Sequence, residues 1–164
     1  MLLPSLSPAK RQYIEEVGLL LEALGLPRMA GRVLGALLVA EPPEQSAEDL
    51  ALGLQASRGS ISTSTRLLEQ TGIIERVSKP GQRRDYFRNR PGAWAEVTKR
   101  RMAAVVAFRQ LAEKGLRVVG SDDLEVRRGL EEMRDFFSYW EEEFPSIFER
   151  WKASRADGAD PGEG

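Results

Sequence analysis

The stretch Ser57-Arg58-Gly59-Ser60-Ile61-Ser62-Thr63-Ser64-Thr65-Arg66-Leu67-Leu68-Glu69-Gln70-Thr71-Gly72-Ile73-Ile74-Glu75-Arg76-Val77-Ser78-Lys79-Pro80-Gly81-Gln82-Arg83-Arg84-Asp85-Tyr86-Phe87-Arg88 decides the fold. Ser57 can accept a hydrogen bond from a free first-turn amide, and Gly72 provides an exit, so Arg58 to Thr71 reads as a helix. At about 100° per residue, Ile61, Thr65 and Leu68 gather on one side and Gly59, Ser62, Thr63, Arg66 and Gln70 on the other. Ile73 to Val77 then has strand character, Ser78 to Gln82 is a turn, and Arg84 to Arg88 returns as a strand around Tyr86 and Phe87.

Upstream, Ser46 to Gly53 reads as a short helix capped by Ser46, with Asp49 placed for a capping box. Before it, Pro27 opens a helix carrying Met29, Val33, Leu34, Leu37 and Leu38, which the Pro42-Pro43 pair stops. The first helix, Pro8 to Leu24, carries Tyr13, Val17, Leu20 and Leu24 at steps of four, three and four, broadened by Ile14 and Leu21. Downstream, a long helix runs from Ala93 to about Arg117, and Gly120 breaks it. Ser121 caps a last helix holding Val126, Leu130, Met133, Phe137, Trp140 and Phe144, which Pro145 should kink or restart. The tail, residues 153–164, is small and polar and reads as disordered. Three helices, a tight turn into a fourth and a hairpin with a basic tip make a mainly α chain with a winged helix-turn-helix core. The domain boundaries follow: residues 1–25 an N-terminal helix, 26–92 the winged helix-turn-helix, 93–152 long C-terminal helices, 153–164 the tail.

The charge is unevenly spread. The chain has 164 residues, 24 basic and 25 acidic, for a net −1. From Arg58 to Arg101, however, eleven basic residues face four acidic ones, a local +7 that leaves −8 for the rest. A basic segment of this kind is the electrostatic footprint of a polyanion-binding surface. There is no cysteine and no histidine, which removes thiol chemistry, the commonest general base and the usual zinc ligands. No metal, cofactor or catalytic residue is expected, and the chain is not expected to be an enzyme. The carboxylate clusters Asp122-Asp123 and Glu141 to Glu143 sit on a helix without a converging partner motif, so solvated acids explain them better than a metal site does. The longest apolar run, Val33 to Ala40, is too short for a membrane span, and the start lacks a signal-peptide pattern. A soluble cytoplasmic protein with no membrane partner is expected.

The helix Arg58 to Thr71 is the natural groove reader. Its outward residues are small, hydroxylated or basic: they allow close approach to base edges, donate to phosphates, and in Arg66 offer a bidentate partner for guanine. Arg58 and Ser60, with the free amides of the first turn behind Ser57, face the place of a phosphate. Lys79, Arg83 and Arg84 surround Pro80-Gly81 and suit a wing entering the minor groove. The expected DNA-contacting set is therefore Ser57, Arg58, Gly59, Ser60, Ser62, Thr63, Arg66, Gln70, Lys79, Arg83 and Arg84. The competing readings are an ordinary solvated helix face, a solubilising loop, and a winged helix that docks an acidic protein partner.

The segments Ser57 to Ser62, Leu68-Glu69-Gln70-Thr71-Gly72-Ile73-Ile74 and Gly81-Gln82-Arg83-Arg84-Asp85-Tyr86-Phe87 resemble the MarR family of bacterial transcriptional regulators. With Leu26-Pro27-Arg28-Met29-Ala30-Gly31-Arg32-Val33, the resemblance is greatest to the GbsR-like branch, whose members are tied to choline and glycine-betaine handling. It implies a homodimeric repressor on a palindromic operator in double-stranded DNA, with the N- and C-terminal helices forming the dimerisation region and Arg83 as the wing arginine. Seven of the twelve aromatic residues lie in the last helix, either as dimer or domain core or as an effector pocket. In the second case Phe137, Trp140 and Phe144, with Glu141, Glu142 or Glu143 nearby, would hold a small-molecule effector, and the resemblance makes choline or a related osmolyte the candidate.

Overall fold

Helix punctuation in the chain is local, and the structure realises most of it. The computed structural model describes residues 6–82, 84–119 and 124–157. Ser7 caps helix α1 (Pro8–Ala23), its Oγ accepting from the Lys10 amide at 3.3 Å. Pro27 stands one residue outside α2 (Arg28–Leu38), as its N-cap rather than its first helical residue. Ser46 caps α3 (Ala47–Gly53) with the full capping box: the Asp49 amide donates to Ser46 Oγ, and the Ser46 amide donates back to Asp49 Oδ2. Helix α4 (Arg58–Thr71) starts on Ser57 and ends at Gly72, whose φ of 79° is the left-handed turn that glycine adopts without a steric penalty.

The sheet holds one strand more than the hairpin read from the sequence. Strands β2 (Ile74–Ser78) and β3 (Asp85–Asn89) pair antiparallel, with Arg76 opposite Phe87. On the other edge of β3 lies β1 (Gln45–Ser46), pairing Gln45 with Phe87 and Ser46 with Tyr86. The order is β1-β3-β2, so the wing is stitched to the segment that leads into α3.

The chain divides into two compact units, one up to Val97 and one from Thr98 onward. In the first, Ile14 of α1, Val33 and Leu34 of α2, Leu50 of α3, Ile61 and Leu68 of α4, Ile74 and Phe87 form one buried cluster. Each large apolar side chain removed from water here stabilises the fold by roughly 1.5–3 kcal/mol. Helix α1 belongs to this unit, packed along α2 through Ile14, Gly18 and Leu21. Tyr13, Leu20 and Leu24 of its apolar stripe stay exposed.

A polar latch crosses the same helices. Glu15 accepts from Arg32 Nε at 2.7 Å and from Arg28 Nη2 at 3.1 Å, while Arg32 Nη2 donates to the Leu54 carbonyl at the end of α3. Burial acts to raise the Glu15 pKa, but the hydrogen bonds and charges of the two arginines together outweigh it and hold the carboxyl below the usual 4.5. A carboxyl whose folded pKa is depressed contributes stability above its unfolded value and loses it as pH falls through the folded value. Glu15→Gln should therefore be less stable than the parent at neutral pH and lose less on acidification below about pH 4.5. Thermal melts of both proteins across that range check this, and parallel pH profiles would count against the latch.

The second unit contains most of α5 (Ala93–Val118) and all of α6 (Leu124–Asp157). The Phe108 and Phe137 rings stack 5.0 Å apart, and Leu130 sits where a Cβ on Gly115 would be, 2.9 Å from Leu130 Cδ2. Arg109 donates to Glu113 on its own helix and to Glu141 of α6. The helix does not restart at Pro145: α6 runs on through it as one element. The Ser146 hydroxyl donates to the Glu143 carbonyl at 2.8 Å, adding a bond in the turn where proline removes one. The helix also runs on to Asp157, past the expected start of a disordered tail at Ala153, and residues 158–164 lie outside the described ones. The expected Gly120 break and Ser121 cap lie outside them too. Among the described residues no helix is long and apolar enough to cross a membrane.

Candidate nucleic-acid interface

Helix α4 has the two faces its spacing predicts. Ile61, Ser64, Thr65 and Leu68 are buried, and the Thr65 hydroxyl is satisfied by donating to the Ser62 carbonyl at 3.2 Å. Gly59, Ser62, Thr63, Arg66 and Gln70 are exposed, as are Ser57 and Arg58 at its start, with Ser60 half-buried. The Ser60 amide is already taken by Ser57 Oγ at 3.2 Å, so the cap uses one of the first-turn donors counted on for a phosphate. Among the described residues no ion pair involves Arg66, which leaves its guanidinium available at the middle of the outward face.

The wing is braced against α4 by Arg76. Its guanidinium donates to both Glu69 oxygens on α4 and to Asp85 at the start of β3, and lies 5.5 Å from the centre of the Phe87 ring. Its hydrogen bonds to Glu69 dominate in holding this arginine charged, above its ordinary pKa. Arg76 thus ties the helix to the hairpin, and its charge is largely committed there.

The other wing cations are placed differently from one another. Lys79, expected to project from the tip, lies 4.4 Å from the centre of the Tyr86 ring and 3.5 Å from Glu44, with 31% of its side chain exposed. Arg84 is 64% exposed and points back to α3, its Nη1 2.8 Å from Glu48 Oε2. Arg83 lies outside the described residues. Between α3, α4 and the wing lies an open groove of about 460 Å³, lined by Arg58, Ser62, Arg66, Arg76 and Arg84, with Glu48 among them.

Two acids that the sequence reading passed over stand in this face. Glu44 lies within ion-pair distance of Lys79 and Arg88, and Glu48 within that of Arg58 and Arg84. Both precede the basic run in the chain and fold back onto it, lowering its local +7 to +5. The only sequence signal was their place beside β1 and the Ser46 cap.

The residues expected at an effector site divide between two aromatic groups. Phe136 meets Phe137 edge-on at 5.3 Å and Trp140 at 6.5 Å, so those two are neighbours through it. Phe144 stacks on Phe148, which stacks on Trp151. Glu141, a candidate counter-charge, accepts from Arg109 at 2.5 Å.

Comparison with known proteins bears on both units. The model for the MarR family matches residues 24–85, and a model described as MmpR5-like MarR family transcriptional regulator matches residues 92–154. The HTH-type transcriptional regulator MmpR5 of Mycobacterium tuberculosis (strain ATCC 25618 / H37Rv) is 45% identical over 134 residues, covering 82% of this chain and 81% of that protein. A crystal structure of a transcriptional regulator is 42% identical with a TM-score of 0.75, covering 89% of this chain and 99% of that one. Neither family description names the GbsR-like branch.

Proposed function

Since this chain belongs to the MarR family of transcriptional regulators, we propose that it binds a palindromic site in duplex DNA as a homodimer, with α4 in the major groove and the β2–β3 wing beside it. The observation that carries the reading is the outward face of α4: small and hydroxylated residues around Arg66, which makes no ion pair among the described residues, next to a groove that gathers Arg58 and Arg84. Family membership favours DNA over an acidic protein as the partner. Two-fold symmetry would space the two α4 helices by about one turn of DNA, roughly 34–36 Å.

The dimer is supported by apolar side chains that each unit leaves in water: Leu20 and Leu24 of α1, and Phe136, Tyr139 and Trp151 of α6. A dimer seated on an operator would repress by occlusion. An effector, a quaternary ammonium such as choline, fits this proposal best at Phe137 and Trp140, because Phe144 belongs to the other aromatic group.

Selecting duplexes from a random pool and measuring their binding by fluorescence anisotropy tests the core of the reading. A selected duplex should take two chains by sedimentation and bind far more tightly than a scrambled one. Affinity should fall steeply between about 50 and 200 mM salt as phosphate contacts exchange with counterions. No retention at low salt would overturn the DNA reading; one chain per duplex would overturn the dimer.

A further inference from the structure

We propose that the groove between α3, α4 and the wing is a seat for a backbone phosphate of duplex DNA, and that the Glu48 carboxylate fills this seat in the free protein. The inference rests on the DNA-binding reading above. Arg58 opens α4 and Arg84 stands at the foot of β3, yet both reach one carboxylate: Arg84 Nη1 is 2.8 Å from Glu48 Oε2, and Arg58 Nη2 is 3.7 Å from Oε1. A carboxylate held between two guanidiniums offers the negative charge and paired acceptor oxygens that a phosphodiester offers, so the three side chains outline the ligand's place. The groove is open to solvent, and Ser62 and Arg66 line it beside the pair.

The pairing is built to exchange. Arg58 is 83% exposed, Arg84 64% and Glu48 43%, and ion pairs this wet contribute little and re-form readily with another anion. Arg76, by contrast, donates to both oxygens of the less exposed Glu69 as well as to Asp85 and braces the fold, so it stays with its partners. An arriving phosphate takes over Arg58 and Arg84, and Glu48 turns out into water. Because every DNA sequence carries the same phosphate, this competition lowers the affinity for all duplexes by the same factor. A glutamate that read a cytosine amino group would instead act on the selected site alone.

The test uses the full chain and its Glu48→Gln and Glu48→Ala variants, each checked for an unchanged far-UV spectrum, with a random-sequence duplex and a duplex selected by the parent protein. Both variants should bind both duplexes about three- to tenfold more tightly at moderate salt, leaving the ratio between them unchanged. The log–log salt dependence should steepen by about one counterion. Unchanged or weaker binding of the random duplex overturns the seat, and so does a gain confined to one duplex. If parent and variants alike fail to bind either duplex at low salt, the DNA-binding reading falls together with the seat.

Discussion

Gly31→Ala should lower the stability of the first unit by about 3 kcal/mol, at the upper end of what overpacking a core costs. A Cβ at this position would lie 2.7 Å from the Gly18 Cα and 2.7 Å from the Val17 carbonyl oxygen. Both are backbone atoms of α1, so no side-chain rotation relieves the clash and the two helices must part. Ile14 and Leu34 then lose packing, and the Glu15–Arg32 latch is stretched. The penalty has to exceed the roughly 1 kcal/mol by which alanine is intrinsically better than glycine inside a helix. For a unit of this size the melting temperature should drop on the order of 10 °C. Gly18→Ala is a milder case, because its nearest clash is the Arg32 Cγ at 2.9 Å, part of a flexible side chain. Gly129→Ala in α6 meets nothing within 4 Å and should gain stability of about 1 kcal/mol. Melts of the three variants check the ranking; a Gly31→Ala protein as stable as the parent would mean that α1 and α2 do not cross this closely.

What could be read from the chain was what its neighbours in sequence decide. The span of α4 follows from Ser57, Gly72 and a helical periodicity kept over fourteen residues, all local, and its inward and outward faces came out as the spacing required. Strand β1 could not be read, because two residues make no alternating pattern and their partners, Tyr86 and Phe87, lie some forty positions on. The passage of α6 through Pro145 depends on how the surrounding turns share hydrogen bonds, which a rule about single residues does not weigh. The site shows the same division. Arg58, Arg66 and Arg84 were recognisable as cations on or near α4, but Glu44 and Glu48 stand outside the basic run in sequence and enter it only through folding. Lys79 likewise belongs to the tip in sequence and to the Tyr86 ring in space. Net charge summed along a segment therefore overstated the free positive charge of the face.

Arg66→Ala and Arg84→Ala should separate sequence reading from phosphate binding. Arg66 sits at the centre of the outward face of α4, where a guanidinium can meet a guanine edge with two hydrogen bonds. Its loss should weaken the selected duplex by about 1–3 kcal/mol, roughly five- to 150-fold, and barely change a scrambled one, so that the preference collapses. Arg84 reaches the groove from the wing, where the proposed seat would give it a phosphate and no base, so Arg84→Ala should weaken both duplexes by a similar factor and reduce the salt slope by about one. Its effect should exceed that of a single lost phosphate contact, because among the described residues Glu48 is then left with Arg58 alone as a cation, and its charge repels the DNA. Adding Glu48→Gln to Arg84→Ala should recover part of that loss, whereas the same addition to Arg66→Ala should improve both duplexes without restoring the preference. Anisotropy titrations of the five proteins against both duplexes decide this. An equal loss at selected and scrambled sites for Arg66→Ala would remove its role as a base reader and leave it as one more phosphate contact.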